Sequence, residues 1–174
     1  MHQSSQHGHR PQPPEPRDPY WQEKVRDSFA RQKVMQLIGA ELADIAPGRC
    51  EIHLPFRDDL TQQNGFFHAG IISTVVDSAA GYAGFSLMPA GSDVLTVEYK
   101  LNLLSPGAGE RLIAIGEVIK SGRSLVITRG EAYLLKHGNT GQNSTHCATM
   151  QQTLMVMHNK PDASNAPNSQ EKTP

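Results

Sequence analysis

Residues 62–88 read Q-Q-N-G-F-F-H-A-G-I-I-S-T-V-V-D-S-A-A-G-Y-A-G-F-S-L-M, and they decide the fold. The order is a turn, a histidine, then a helix over residues 69–86. Ile71, Ile72, Val75, Val76, Ala79, Ala80 and Ala83 recur at i, i+3, i+4 spacing and make a broad apolar face. A helix at the surface carries charge on its other side. Here that side holds Gly70, Ser73, Thr74, Asp77, Gly81 and Gly84, and Asp77 is the only charged side chain between Asp59 and Asp93. A helix that is apolar or small all round is a buried one. Each of its glycines is less favourable than alanine by roughly 1 kcal/mol, so close packing is expected to require them. A lone carboxylate held in such a place is expensive and marks a functional candidate. At the helix start, beside His68, free backbone N–H groups and the positive end of the dipole offer a seat for developing negative charge.

Upstream, Asp18-Pro19 is a helix-start signal. Trp21, Val25, Phe29, Val34, Leu37 and Ile38 then predict one N-terminal helix that Gly39 ends and that caps the core. Residues 40–46 and 49–56 alternate apolar and polar around the Pro47-Gly48 turn, a hairpin pattern. Downstream of the central helix, strands are predicted over 94–104, 111–119, 125–135 and 148–157, with a loop at 137–141. One helix among six strands excludes a doubly wound fold, which needs alternating crossovers. The pattern predicts an α+β domain over residues 19–158, an antiparallel six-stranded sheet wrapped around one long central helix, with an extra N-terminal helix. Residues 94–104 are apolar on both faces in part, which predicts cover by a second sheet or a second subunit. Residues 1–18 and 159–174 are polar and rich in Pro, Ser, Gln or Asn, and read as disordered tails; His2, His7 and His9 belong to a solvated tail.

The net charge of −1 gives no pull toward nucleic acid or an anionic membrane. No apolar run reaches a membrane span, and the first twenty residues hold no apolar signal region. Two cysteines far apart, Cys50 and Cys147, fit a reduced, cytoplasmic setting. The chain has no P-loop, no GxGxxG and no GxSxG, and His146-Cys147 lacks metal-binding partners. Neither cofactor nor metal is expected.

His68-Ala69-Gly70, with Asp77 nine residues after the histidine, resembles the PaaI-like acyl-CoA thioesterases of the hotdog fold. The family pattern also has an amide six residues before the histidine, here Gln62, and a glycine three before it, here Gly65. Gln62 stands where Asn is commoner, and Ala69 where Gly is commoner. The resemblance extends through residues 97–107 and 120–127. It implies that Asp77 is nucleophile or general base, and that the Ala69 and Gly70 N–H groups polarise the thioester carbonyl. His68 and Gln62 orient the substrate or the water, and Thr96 supplies a hydroxyl near the acid. It further implies that Gly65 and Phe67 lie against the substrate, and that the hairpin bearing Lys120, Arg123, Ser124 and Arg129 lies near the anionic CoA arm. The site would lie between two subunits of a homodimer or a dimer-of-dimers tetramer. The expected acyl pocket is lined by Phe66, Phe67, Tyr82, Phe85, Leu87 and Met88, for aromatic or medium-to-long fatty acyl groups. A hotdog-fold hydratase or dehydratase, and a non-catalytic acyl-CoA binder, are the other readings.

Overall fold

The computed structural model describes residues 14–136 and 144–158. The loop at 137–141, most of the N-terminal tail with its histidines and the tail from residue 159 lie outside the described residues.

The expected N-terminal helix is two helices, α1 (Trp21–Arg31) and α2 (Lys33–Ile38). Gln32 lies between them in extended conformation (φ −77°, ψ 95°). The break changes which residues face inward: Met35 and Ile38 are core, while Val34 and Leu37 are exposed. Gly39 ends α2 in the left-handed region (φ 77°), as its position predicts. Asp18 opens the segment through a side-chain bond from the Tyr20 N–H (2.9 Å) and an ion pair with Lys24 (3.1 Å). Lys24 also reaches the Met88 carbonyl (2.9 Å) and so ties α1 to the end of the central helix.

Strands β1 (Glu41–Ala46), β2 (Arg49–Pro55), β3 (Ser92–Leu103), β4 (Arg111–Ser121), β5 (Leu125–Leu135) and β6 (Ser144–His158) form one antiparallel sheet in the order β1-β2-β4-β5-β6-β3. β6 begins four residues earlier than its apolar pattern suggests, because Ser144 and Thr145 extend the pairing with Leu135 and Leu134. The central helix α3 (Ala69–Phe85) packs on the concave face. Ile72, Val75, Val76, Ala79, Ala80 and Ala83 are buried there, as the spacing predicts.

Glycine sets how close helix and sheet come. A Cβ on Gly116 of β4 would lie 2.3 Å from the Ala79 carbonyl carbon, so only hydrogen fits. A Cβ on Gly84 of α3 would lie 2.3 Å from Leu154 Cδ1, so that side chain would have to shift. Gly81 departs from the expectation that packing requires every glycine of α3: a Cβ there would have nothing within 4 Å.

β3 is an edge strand, and Leu95, Val97, Tyr99 and Leu103 on it are each about half exposed. An edge this apolar is unusual on a surface that meets only water. Cys50 and Cys147 are free and buried, and burial pushes their thiols up to about 12 and about 11. Among the described residues no helix is long and apolar enough to cross a membrane.

Candidate active site

Asp77 lies at the middle of α3, where the helix passes under β3. Its Oδ1 accepts hydrogen bonds from Thr96 Oγ1 (2.8 Å) and from Gln152 Nε2. Gln152 Nε2 also donates to Thr96 Oγ1 (2.9 Å), and its Oε1 accepts from Thr128 Oγ1 (3.2 Å). Gln152 and Thr128 are fully buried, so this chain of polar groups is held by the sheet interior. Oδ2 of Asp77 has no partner among the described residues. Burial raises the carboxyl above its ordinary range, and the bonds from Thr96 and Gln152 pull partly the other way.

Oδ2 has a cleft to act in. Asp77, Ser78, Gly81 and Tyr82 line one side of a cavity of about 480 Å³, β3 residues Asp93–Thr96 another, and Ser28, Arg31 and Gln32 a third. The break between α1 and α2 brings the Gln32 side chain here, where Nε2 donates to Ser78 Oγ (3.2 Å) and Oε1 accepts from the Tyr82 hydroxyl (3.3 Å). Among the expected pocket residues only Tyr82 lines this cleft. Phe85, Leu87 and Met88, at and just beyond the end of α3, are core residues.

The helix start forms a second, separate cleft of about 410 Å³, lined by Gln62, Phe66, Phe67, Ala69, Ile72 and residues 103–107. His68 is the N-cap of α3 (φ −62°, ψ 138°), and its Nδ1 accepts from the Gly70 N–H (2.9 Å). The His68 carbonyl takes the N–H groups of Ile71 and Ile72 (2.9 and 3.1 Å). Of the two expected donors, Gly70 is therefore occupied, while the exposed Ala69 N–H has no acceptor among the described residues. Gln62 folds back on its own turn, its Oε1 accepting from the Asn64 N–H, and Gly65 holds that turn at φ 77°. Phe67 packs edge-on against Phe56 with ring centroids 5.3 Å apart, so its side chain belongs to the core and its backbone to the cleft wall.

Lys120, Arg123 and Ser124 are exposed around the β4–β5 turn. Arg129 is engaged across the strands, its Nε donating to Glu117 (2.9 Å). Arg17 crosses to the same turn, reaching Ser121 Oγ (3.3 Å) and the Gly122 carbonyl (3.2 Å) while its Nε donates to the Leu87 carbonyl (2.9 Å). Gln152, Thr128 and Gln32 were not singled out from sequence. The signal for the first two is parity: Gln152 shares the inward face of β6 with Met150 and Leu154, and Thr128 that of β5 with Val126 and Ala132.

The Thioesterase superfamily model matches residues 64–140, a segment that includes Asp77, Thr96 and the start of α3. A crystal structure of a thioesterase family protein from Silicibacter pomeroyi is 49% identical, covers 80% of this chain and 99% of its own, and superposes with a TM-score of 0.77. The PaaI protein from the phenylacetic acid degradation operon of E. coli is 17% identical over 79% of this chain and 93% of its own, with a TM-score of 0.68. Thioesterase HI1161 from Haemophilus influenzae is 19% identical over 76% and 88%, with a TM-score of 0.66. At those identities the last two speak to fold alone. The chain belongs to the thioesterase superfamily, a family of thioester hydrolases, and has its hotdog fold.

Proposed function

We propose that this protein hydrolyses acyl-CoA thioesters to a carboxylic acid and CoA, with Asp77 acting on the carbonyl carbon and the Ala69 N–H holding the carbonyl oxygen. The observation that carries this reading is the state of Asp77: Oδ1 is pinned by Thr96 and Gln152, while Oδ2 is unpartnered beside a cleft. A carboxylate fixed through one oxygen keeps the other aimed without reorganisation at the moment of reaction. Oδ2 either bonds to the acyl carbon as the C–S bond breaks, giving a mixed anhydride that water then hydrolyses to the product acid and free Asp77, or takes a proton from a water that attacks that carbon; in both courses the thiolate of CoA leaves and is protonated by solvent.

Ala69 is eight residues before Asp77, about 12 Å along the helix axis. One carbonyl needs each group within about 3 Å, so a single chain cannot supply both. The reading therefore assigns the two groups to two copies, joined along the apolar edge of β3, with each helix start facing the partner's acid. Lys120 and Arg123, which have no ion-pair partner among the described residues, are assigned to the CoA phosphates, with Ser124 beside them.

The test is release of free thiol from acetyl-, octanoyl- and phenylacetyl-CoA by the full chain and by Asp77→Asn. Turnover that the substitution leaves intact would remove Asp77 from the mechanism. A single turnover in ¹⁸O-water reports direct attack when the label enters Asp77, which requires an anhydride opened at the aspartyl carbon; when the label enters the product acid alone, trapping with hydroxylamine decides, since a hydroxamate on Asp77 forms only from the anhydride.

A further inference from the structure

Gly81 is the glycine of α3 that neither packing nor geometry explains. Glycine is the poorest helix former after proline, and Gly81 sits well inside the helix. A Cβ on Gly84, three residues on, would displace the Leu154 side chain, and one on Gly70 would lie 3.1 Å from the His68 ring. A Cβ on Gly81 would meet nothing within 4 Å, and its backbone lies in the helical region open to any residue. The space such a Cβ would enter is the Asp77 cleft, which Gly81 lines.

Its position gives that space a direction. Gly81 follows Asp77 by four residues, so the two lie on one face, one turn or about 5–6 Å apart. Beyond it stand the Tyr82 hydroxyl and the Gln32 carboxamide, bonded to each other at 3.3 Å. A missing side chain at this point leaves a trough that runs from the carboxylate to that pair. Val94 on β3 supplies an apolar wall.

We propose that Gly81 is a specificity-determining residue: the acyl group of the substrate lies over its bare backbone, so the cleft admits acyl groups that extend about a helical turn beyond the thioester carbon. This rests on reading the cleft as the acyl site, and it adds which residue sets the acyl length. Any side chain at position 81 shortens the trough while improving the helix.

The experiment compares Gly81→Ala and Gly81→Val with the wild-type chain. The ratio of kcat/KM for octanoyl-CoA over acetyl-CoA falls about tenfold or more in Gly81→Val, mainly through KM, and by less in Gly81→Ala. The melting temperature of Gly81→Ala stays level or rises. A glycine needed for packing would instead lower the melting temperature. An unchanged ratio in Gly81→Val overturns the proposal. So does a lower melting temperature or altered oligomeric state in Gly81→Ala, which would make Gly81 a contact with a second copy. Calorimetric binding of the uncleavable thioethers S-octyl-CoA and S-ethyl-CoA gives a readout independent of turnover. Selective loss of S-octyl-CoA binding in Gly81→Val, with thiol release indifferent to Asp77→Asn, leaves the trough standing and removes the catalytic reading. A wild-type chain that neither cleaves nor binds any of these compounds removes both.

Discussion

The two ends of α3 are built to different degrees of completion. Around Asp77 four other elements of the chain contribute: β3 through Thr96, β6 through Gln152, β5 through Thr128, and α1 as a wall. Around Ala69 the same chain supplies an exposed helix start capped by His68, with no acceptor for the Ala69 N–H among the described residues. The acid is set by interactions within the chain; the donor corner faces outward and has nothing of its own chain to act on. On the proposed reading, the difference teaches that what counts as one site in chemistry is two half-sites in the fold. The same reading accounts for the apolar edge strand between them.

The largest effect that bears on this contrast is expected at the acid. Asp77→Asn lowers thiol release by roughly 10²–10⁴-fold. Its melting temperature at pH 7 is not lower than that of the wild-type chain. The sign follows from linkage: the folded-state carboxyl titrates above its unfolded value, so the fold loses stability as pH rises from the unfolded to the folded value, and the ionised acid is a net cost above it. A marked drop in melting temperature would show that the charge supports the fold. The same shift places the acid limb of the kcat/KM profile above the ordinary carboxylate range, because the reactive form is the carboxylate.

Next in size is the donor corner. Ala69 is the first helical residue and His68 already has the extended conformation that a following proline requires. Ala69→Pro therefore deletes one N–H with little harm to the helix, and thiol release is expected to fall about 10²–10³-fold. Mixing this variant with Asp77→Asn under conditions of subunit exchange sharpens the contrast: the mixed dimer regains one complete site, giving about a quarter of wild-type activity. No recovery would mean that the two half-sites do not meet across copies.

Smaller effects come from the supports. Gln152→Met removes a donor to the acid, so the acid limb moves to higher pH, and it strands Thr128, for a stability loss of about 1–3 kcal/mol read by denaturant melts. His68→Ala removes the N-cap, costing about 0.5–2 kcal/mol by the same measurement.

Much of this was legible in the sequence. The 3.6-residue spacing locates α3 to within a residue at its end, and the alternation in 125–135 coincides with β5. The isolation of Asp77 pointed to it, and Thr96 does bond to it. Other features were not legible, for physical reasons. Gln32 leaves the helix to place its carboxamide between Ser78 and Tyr82, a tertiary reward that no local propensity announces. Phe85, Leu87 and Met88 carry the apolar character of a pocket and of a core equally, and only the closure of the sheet around α3 decides between them. Gln152 was within reach, as an amide on an otherwise apolar strand face.

The burial of Cys50 and Cys147 has a practical consequence at the bench. They are the chain's only sulfhydryls, both enclosed and both reluctant to ionise. A chromogenic disulfide reagent added to trap liberated CoA should therefore find no competing reactant on the folded protein. Any slow colour that develops without substrate then reports the fold opening, so a single cuvette follows both turnover and unfolding.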